Sequence, residues 1–362
     1  MNKTVVVGMS GGVDSSAAAY LLKEQGYQVI GITMQIWQDE NAAVLEKEGG
    51  CCGVSAVEDA GRVAEVLGIP YYVVNFRDIF QRRVIDYFTE EYLAGRTPNP
   101  CIACNRYVKW EALLEKSLQI GADYIATGHY ATITARENGR LAVSNSVTAE
   151  KDQTYALYNL TQEQLSRTLL PVGRYTKPQI REIAEAAGLP VAHKHDSQEI
   201  CFVPDGDYAA FIEREHPGAV PPPGNFVTPD GKTLGRHKGI THYTIGQRRG
   251  LDLPMGRRVF VTEIRPETNE VVVGEHEDVF TDTLRADYLN FMGIPEMQNG
   301  ESGLFLTKIR YNHRGTLCEI TKTDSDEITC RFREPVRAVT PGQAVVFYTE
   351  DGCVAGGGTI IR

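Results

Sequence analysis

The feature that most constrains this chain is the hexapeptide Ser-Gly-Gly-Val-Asp-Ser at residues 10–15, which separates an apolar run from an alanine-rich segment. The apolar run predicts a buried strand, and the segment from about Asp14 predicts a helix. Two adjacent glycines let several backbone N–H groups face one anion, and the helix adds its positive N-terminal end. No lysine follows the glycines, so this is not a Walker A loop, and the hydroxyls of Ser10 and Ser15 must help the backbone amides. We therefore expect a nucleotide-phosphate site rather than an ordinary glycine-rich turn.

Strand and helix signals alternate over about the first 130 residues. Apolar runs predict buried strands at 5–9, 29–34, 71–75 and 124–127. Helical patterns lie between them at 15–25, 57–67 and 105–118. The alternation predicts an α/β fold with a doubly wound parallel sheet. Because ligands bind at the carboxyl ends of such strands, we expect the loop at 10–13, Met34 and Gly128 to meet around one nucleotide.

The composition changes after the predicted first domain, residues 1–205. Two more helices, at 162–170 and 178–187, and a strand and loop at 195–203 complete that domain. A cluster of prolines and glycines at 217–224 then interrupts regular structure, and short alternating runs follow. These patterns predict a small mixed domain at 206–278 and a small antiparallel β-barrel at 279–362.

The charge of the chain limits its partners. A formal net charge of -10 argues against indiscriminate attraction to nucleic acid. Residues 232–258 nevertheless carry seven basic side chains against one acidic side chain, Asp252, and are either a local basic surface or a solvated loop. The sequence contains neither a signal-peptide pattern nor an apolar run of about 20 residues, so we expect a cytoplasmic protein with no membrane partner.

Three of the eight cysteines lie in the predicted first domain at positions that suggest chemistry. Clustered cysteines in a reducing compartment indicate redox chemistry, sulfur transfer or metal binding. Cys101 and Cys104 form a Cys-x-x-Cys pair just before a predicted helix, and Cys201 lies about 100 residues later. A helix that starts just after Cys104 would stabilise its thiolate and make it a better nucleophile. Structural zinc, an iron–sulfur cluster and ordinary buried cysteines are the alternatives.

Several ordered motifs together resemble the tRNA-specific 2-thiouridylases, and the loop at 10–15 resembles that of the pyrophosphate-releasing ATPases. The motifs are Gly8-Met-Ser-Gly-Gly-Val-Asp-Ser15, Thr97-Pro-Asn-Pro-Cys-Ile-Ala-Cys-Asn105, Ala126-Thr-Gly-His-Tyr130, Lys151-Asp-Gln-Thr-Tyr155, Asp196-Ser-Gln-Glu-Ile-Cys201 and Thr244-Ile-Gly-Gln-Arg-Arg-Gly250. Two shorter matches, Lys308-Ile-Arg-Tyr311 and Pro341-Gly-Gln343, extend the resemblance almost to the end of the chain. It implies that the first domain is similar to the adenine nucleotide α-hydrolases and that the other two domains bind tRNA.

The resemblance also implies roles for particular residues. It makes Cys104 and Cys201 the catalytic pair and assigns no dedicated metal ligand. ATP contacts are implied at Gly8, Met9, Ser10, Gly11, Gly12, Val13, Asp14, Ser15, Met34 and Gly128. Contacts with tRNA are implied at Asn99, Pro100, Cys101, His129, Lys151, Asp152, Gln153, Arg310, Tyr311 and Gln343. Position 101 is aspartate in some members of the family, so the cysteine here leaves an iron–sulfur cluster at Cys101, Cys104 and Cys201 as a minor alternative.

The implied reaction is the 2-thiolation of the wobble uridine in a tRNA anticodon loop, with ATP and Mg²⁺. The uridine O2 attacks the α-phosphate and pyrophosphate leaves; a persulfide on Cys201, loaded by a cysteine desulfurase or a sulfurtransferase relay, then supplies sulfur. AMP and a Cys104–Cys201 disulfide are the by-products. The competing hypotheses are another adenylating enzyme, such as an amidating synthetase or a lysidine-forming ligase, and a metal-containing RNA-binding protein without catalytic activity.

Overall fold

A five-stranded parallel sheet forms the centre of the first domain. The computed structural model describes residues 3–36, 54–195, 200–203 and 205–361. The strands of the first domain are β1 (Thr4–Gly8), β2 (Gln28–Gln35), β3 (Tyr71–Asn75), β4 (Tyr124–Ala126), β5 (Thr132–Ala135), β6 (Leu141–Ser144) and β7 (Thr168–Leu169). Five of them join in the order β3-β2-β1-β4-β7, and every neighbouring pair is parallel. The remaining two, β5 and β6, form a separate antiparallel hairpin.

Helices cover both faces of this sheet. They are α1 (Val13–Glu24), α2 (Val54–Leu67), α3 (77–93), α4 (100–119), α5 (Gln162–Ser166), α6 (Lys177–Ala186) and α7 (Tyr208–Glu215). Alternate side chains of β1 point to opposite faces. Val5 and Val7 therefore pack with α1, α2 and α6, whereas Val6 packs in the cluster that contains Phe88 of α3 and Trp110 of α4. The predicted α/β fold with a doubly wound sheet is confirmed.

Two predicted segments of the first domain differ from the structure. The helix predicted at 162–170 ends at Ser166, because Thr168 and Leu169 instead pair with Ile125 and Ala126 as a fifth sheet strand. A two-residue strand is too short to leave a periodic signal. Of the predicted strand and loop at 195–203, residues 196–199 lie outside the described residues, and residues 200–203 form no strand.

A small mixed sheet follows α7, as the sequence predicts. Its strands are β8 (Asn225–Val227), β9 (Thr233–Arg236), β10 (Phe260–Arg265) and β11 (Glu270–Gly274). They join in the order β10-β11-β8-β9, with β11 and β8 parallel and the other pairs antiparallel. A compact apolar core holds them together and includes Phe226, Tyr243 and Val261.

The last part of the described chain is a closed antiparallel barrel. Its strands are β12 (Phe280–Phe291), β13 (Ser302–Lys308), β14 (Thr316–Asp324), β15 (Glu327–Arg337), β16 (Ala344–Tyr348) and β17 (Val354–Ile360). Pairing of β12 with both β15 and β17 closes the ring, so no strand edge stays unpaired. The predicted barrel is therefore confirmed, and β12 begins close to the predicted domain limit at residue 278.

The barrel packs directly on the first domain through hydrogen bonds to main-chain carbonyls. Tyr155 donates its hydroxyl to the carbonyl of Ala344 at 2.8 Å, and the Asn290 amide donates to the carbonyl of Tyr158 at 2.7 Å. This contact brings the barrel to the helices that carry the cysteine motif. Within the described ranges, no helix combines the length and the apolar character needed to cross a membrane.

Candidate nucleotide and sulfur-transfer site

The loop between β1 and α1 has the geometry of a phosphate cradle. Helix α1 begins at Val13, one residue before the predicted start near Asp14, and Gly12 is its N-cap. The Ser15 hydroxyl accepts a hydrogen bond from the Ser10 N–H at 3.2 Å and donates one to the Gly12 carbonyl at 3.1 Å. Gly11 has φ +68°, and a Cβ there would lie 2.4 Å from the Ala56 carbonyl oxygen, so only glycine fits. The loop thus packs closely against α2, with the N-terminus of α1 behind it.

The other predicted nucleotide residues meet at this loop. A Cβ on Gly128, just after β4, would lie 2.6 Å from the backbone of Asp14 and Ser15, so the two segments are in backbone contact. A Cβ on Gly8 would lie 3.9 Å from the Met34 methyl group. The Met9 carbonyl accepts a hydrogen bond from the Thr33 hydroxyl at 2.7 Å. Gly8, Met34 and Gly128 therefore lie together at the carboxyl edge of the sheet, where their contacts with ATP remain predictions.

Two lysines that sequence analysis missed supply positive charge beside this loop. Lys177, the first residue of α6, places Nζ 2.8 Å from both carboxylate oxygens of Asp14. The Tyr130 hydroxyl donates to the same carboxylate at 2.8 Å. Lys194 donates to the Gly11 carbonyl at 3.1 Å.

The second lysine also forms an ion pair. Lys194 Nζ lies 2.6 Å from a carboxylate oxygen of Asp59 on α2. Burial by itself would raise the pKa of Asp59, but hydrogen bonds from Lys194 and Arg62 outweigh burial and hold that pKa below its usual value. Lys177 and Lys194 are more than 160 residues from their loop partners, so no local motif connects them. The one local signal is a lysine at the positive end of α6, an unfavourable position unless a carboxylate compensates it.

The cysteine motif starts the helix earlier than predicted. Asn99 is the N-cap of α4, and its side-chain oxygen accepts hydrogen bonds from the N–H groups of Cys101 at 3.1 Å and Ile102 at 3.4 Å. Pro100 occupies the first turn, as expected for a residue without an N–H. Cys104 is therefore the fifth residue of α4, and its own N–H is bonded to carbonyls of the first turn. The helix start predicted just after Cys104 is therefore wrong, and Cys101 is the cysteine of this motif that lies in the first turn.

Cys104 lies at a change of helix type. The α-helical turn Pro100–Ala103 gives way at this residue to a π-helical stretch, Cys104–Leu113. Such stretches are rare and frequent at functional sites. The π-helical geometry was not visible in the sequence, because its hydrophobic spacing resembles that of an ordinary helix.

Cys201 packs against the same hydrophobic cluster as Cys104. Both are partly buried, whereas Cys101 is exposed. The neighbouring Phe202 ring anchors the segment, with ring centroids 5.3 Å from Phe88 and 5.1 Å from Phe211. Among the described residues, which include all three thiols, no three His, Cys, Asp or Glu side chains form a group able to hold a metal ion. The structure therefore gives no support to the iron–sulfur alternative.

The barrel brings its predicted tRNA residues to the cysteine motif. The ring centroid of Tyr311 lies 6.3 Å from that of Tyr155. Burial, followed by the nearby Asp152 and Cys101, raises the pKa of Tyr311. Gln343 donates its amide to the Thr97 carbonyl at 2.7 Å. Gln343 thereby supports the segment that leads to Asn99, a role that sequence analysis did not predict.

Residues 151–153 form a turn in which the side-chain oxygens of Asp152 and Gln153 accept hydrogen bonds from the backbone. The Asp152 carboxylate accepts hydrogen bonds from the N–H groups of Ser146 at 3.0 Å and Thr154 at 3.2 Å. The Gln153 side-chain oxygen accepts from the Tyr130 N–H at 2.8 Å. These bonds shape the turn; contacts of Lys151, Asp152 and Gln153 with tRNA remain predictions.

His129 is held neutral beside α4. Its Nδ1 lies 2.7 Å from the Thr127 hydroxyl, and its ring centroid lies 5.5 Å from that of Trp110. Burial of the ring, and then the charge of Lys109, lower the pKa of His129 well below its ordinary value, although part of the residue reaches the surface. A neutral imidazole can donate or accept a hydrogen bond to a base without carrying charge.

Comparison with known families covers most of the chain. Residues 3–205 match a family model described as the tRNA methyl transferase HUP domain. Residues 209–275 match the tRNA methyl transferase PRC-barrel domain, and residues 281–360 match the aminomethyltransferase beta-barrel domain. Although these descriptions refer to methyl transfer, the full-length relatives carry a different name.

The similar curated proteins are tRNA-specific 2-thiouridylases named MnmA. The protein of Lachnoclostridium phytofermentans is 65% identical over 99% of this chain and 100% of its own length. That of Clostridium acetobutylicum is 57% identical, over 99% of both chains. Among solved structures, the NMN synthetase of Francisella tularensis is similar over 54% of this chain and 66% of its own, with a TM-score of 0.35 and 16% identity, too weak a likeness to support an argument. The full-length matches establish that the chain belongs to the tRNA-specific 2-thiouridylase family.

Proposed function

We propose that the protein catalyses ATP-dependent replacement of the wobble-uridine O2 of tRNA by sulfur. The observation that carries the proposal is the pairing, in one domain, of a phosphate cradle with two cysteines, Cys104 and Cys201, that share one hydrophobic cluster. The relatives named 2-thiouridylase make tRNA the expected substrate. A cytoplasmic location follows from the need for reduced thiols.

ATP would lie with its phosphates on residues 8–15 and its adenine toward Met34 and Gly128. The N-terminus of α1 and the backbone N–H groups of the loop would bind the triphosphate, and Lys177 and Lys194 reduce the negative charge near it. Mg²⁺ would be bound chiefly by phosphate oxygens and water, as it prefers with nucleotide substrates. The uridine O2 would attack the α-phosphorus, and the bond to the β-phosphate would break to release pyrophosphate.

Adenylation solves the problem of the leaving group, because AMP leaves a carbon centre far more readily than hydroxide does. The terminal sulfur of a Cys201 persulfide would then reach C2 in one of two ways. It attacks C2 directly and Cys104 cleaves the S–S bond, or Cys104 first releases hydrosulfide, which attacks C2. Both routes expel AMP and oxidise the two thiols to one disulfide, which supplies the two electrons that reduce the transferred sulfur. A cysteine desulfurase or a relay protein would load Cys201, and an external dithiol would reduce the disulfide.

The anticodon loop would enter between the cysteine motif and the barrel. Single-stranded RNA bases are typically bound by stacking on aromatic rings and by hydrogen bonds, with arginine on phosphate. Tyr311 offers such a ring near Cys101, and the preceding residue, Arg310, offers the guanidinium group. Because the His129 imidazole is neutral, it can form a hydrogen bond with the target uridine base and is not attracted to the tRNA phosphates.

The decisive experiment uses three single cysteine variants. Each would be incubated with unmodified tRNA, Mg-ATP and a persulfide donor, followed by mass analysis of the nucleosides and measurement of pyrophosphate. We expect Cys104→Ser and Cys201→Ser to abolish 2-thiouridine while pyrophosphate release persists. Cys101→Ser, the comparison variant, should keep thiolation, because serine preserves a small polar side chain at this proposed tRNA contact and the proposed chemistry uses no thiol there. Full thiolation by either of the first two variants would contradict the proposal.

Two further measurements separate the remaining alternatives. A disulfide needs Cα atoms within about 7 Å, so wild-type protein stopped after one turnover should yield a Cys104–Cys201 linked peptide. Iron and zinc analysis of anaerobically purified protein tests the cluster at Cys101, Cys104 and Cys201. If the wild-type protein contains stoichiometric iron, and Cys101→Ser loses both the iron and the thiolation activity, the sulfur transfer depends on an iron–sulfur cluster rather than on a persulfide.

A further inference from the structure

Cys101 differs in its exposure from the two cysteines of the proposed reaction. Of the six cysteines that the structure describes, it is the exposed one. Cys104 and Cys201 are partly buried and pack against the same hydrophobic cluster, and the other three are fully buried. The route proposed above ends in a Cys104–Cys201 disulfide and leaves the Cys101 thiol without a task.

Cys101 and Cys104 lie on one side of the first turn of α4. The Asn99 side chain caps this turn through the N–H groups of Cys101 and Ile102. The Cys104 N–H donates to the carbonyls of Pro100 and Cys101. The bond to the Cys101 carbonyl has the three-residue spacing of a 3₁₀ turn, in which side chains at i and i+3 eclipse one another. The two thiols therefore start from neighbouring positions on the helix.

This spacing suits a disulfide between Cys101 and Cys104. Cα atoms three residues apart in a helical turn lie about 5 Å from one another. Disulfides usually join residues whose Cα atoms are about 4.4–6.8 Å apart. The bond is therefore within reach of rotation about the two side chains, without a large movement of the helix.

A protein that carries a reducing dithiol reaches Cys101 more easily than it reaches Cys104 or Cys201. Reduction begins when a thiolate of the dithiol attacks one sulfur of the disulfide, so its rate depends on access to that sulfur. Both sulfurs of a Cys104–Cys201 disulfide belong to partly buried residues, and the Phe202 ring packs beside Cys201 within the hydrophobic cluster. A disulfide that includes Cys101 has one sulfur on an exposed residue.

We propose that Cys101 is a resolving cysteine, which returns the protein to its reduced state after each sulfur transfer. The Cys101 thiolate attacks Cys104 Sγ, its partner across the turn. The Cys104–Cys201 bond breaks, and its electron pair goes to Cys201 Sγ, which takes up a proton. This exchange frees Cys201 for the next persulfide and moves the disulfide to Cys101 and Cys104.

An external dithiol protein completes the cycle. One of its thiolates attacks Cys101 Sγ and releases Cys104, and its second thiol then releases Cys101. The dithiol is oxidised to its own disulfide, and the two electrons restore both thiols of the motif. This inference rests on the proposed function, which supplies the Cys104–Cys201 disulfide.

The first test identifies the disulfides. Wild-type protein and Cys101→Ser would each be given unmodified tRNA, Mg-ATP and a stoichiometric persulfide donor without added dithiol, and then be quenched with acid and an alkylating agent. Peptide mass analysis of the wild type should find a Cys101–Cys104 linked peptide together with the Cys104–Cys201 peptide. Cys101→Ser should yield only the Cys104–Cys201 peptide.

The second test compares two reductants in steady-state formation of 2-thiouridine. One is thioredoxin, a dithiol protein, and the other is excess dithiothreitol, a small dithiol that penetrates to partly buried sulfur. The readout is the ratio of the thioredoxin rate to the dithiothreitol rate within each protein, so any change in the tRNA contact at position 101 cancels. A neighbouring thiol acts at an effective concentration of about 1 mM, so with about 0.1 mM thioredoxin its loss should lower this ratio about tenfold.

Cys101→Ser and Cys101→Asp should both show the lower ratio, because both lack the thiol. Cys353→Ser, which removes a buried cysteine outside the motif, is the matched control and should keep the wild-type ratio. Circular dichroism of each variant checks that the fold is intact.

Four outcomes would overturn the proposal. They are a wild-type ratio in both Cys101 variants, an equal fall in Cys353→Ser, the absence of a Cys101–Cys104 peptide from the wild type, and a Cys101→Ser protein that forms no product even with dithiothreitol. The last would place the thiol in sulfur transfer itself. Failure of the proposed function looks different, because the wild type would then form neither 2-thiouridine nor the Cys104–Cys201 peptide.

Discussion

Gly128→Ala is the substitution that tests most directly whether the end of β4 must touch the phosphate loop. The new Cβ would lie 2.6 Å from backbone atoms of Asp14 and Ser15, and ordinary contact begins at 3.4 Å. The two segments must therefore separate by about 0.8 Å, the difference of those distances. Because the obstructing atoms are backbone, no rotation of a side chain can relieve the clash. The φ angle of Gly128 lies outside the left-handed region, so the effect is purely steric.

The expected cost follows from this displacement. Overpacking of a well-packed site costs about 1–3 kcal/mol of stability. A misplacement near 1 Å in a catalytic site costs about 100-fold in rate, so pyrophosphate release should fall by about that factor. Gly61→Ala is the matched control, because its Cβ would make only ordinary contacts, with two Tyr71 ring carbons at 3.6 and 3.9 Å. Alanine within α2 should stabilise the protein by about 0.5–1 kcal/mol. The two variants should thus shift stability in opposite directions.

Two measurements check this prediction. Urea unfolding of both variants and the wild type gives the change in stability, and pyrophosphate release with unmodified tRNA and Mg-ATP gives the change in rate. A Gly128→Ala protein with wild-type stability and a pyrophosphate rate within about twofold of wild type would refute the argument, because the 0.8 Å separation should cost about 100-fold. Loss of stability with an unchanged rate would show that the contact is structural and that ATP lies elsewhere.

Lys177→Met should weaken equilibrium binding of ATP by about tenfold or more, because it leaves the Asp14 carboxylate without its cation and facing the triphosphate. Lys177→Arg should retain most of the affinity, and equal losses in both variants would contradict a role for charge. The lowered pKa of His129 means that the unfolded chain takes up this proton first as pH falls below about 6.5, so its contribution to stability is present above that pH and is lost below it. The urea concentration at the unfolding midpoint should therefore fall less between about pH 7.5 and about pH 5.5 in His129→Asn than in the wild type. An equal fall in both proteins would contradict the lowered pKa of His129.

Elements with strong local periodicity were predictable from the sequence. The four strands at 5–9, 29–34, 71–75 and 124–127 and the alternation of helices between them were enough to predict the doubly wound sheet. Strand β7 was not predictable, since two residues carry no periodic signal and pair with β4 only after the chain has folded. Helix α4 begins at Pro100, before the start predicted at residue 105, because the Asn99 side chain caps it and Pro100 occupies its first turn.

The sequence by itself determined the class of chemistry: a glycine-rich loop after a strand predicts phosphate binding, and the spacing of Cys101 and Cys104 with a third thiol at Cys201 predicts sulfur or metal chemistry. These signals are local, because they depend on backbone freedom and on residue type. Only the tertiary structure decided which charges reach the loop. Lys177 lies 163 residues from Asp14, and Lys194 lies 135 residues from Asp59. Their Coulomb interactions depend on distance in space rather than along the chain.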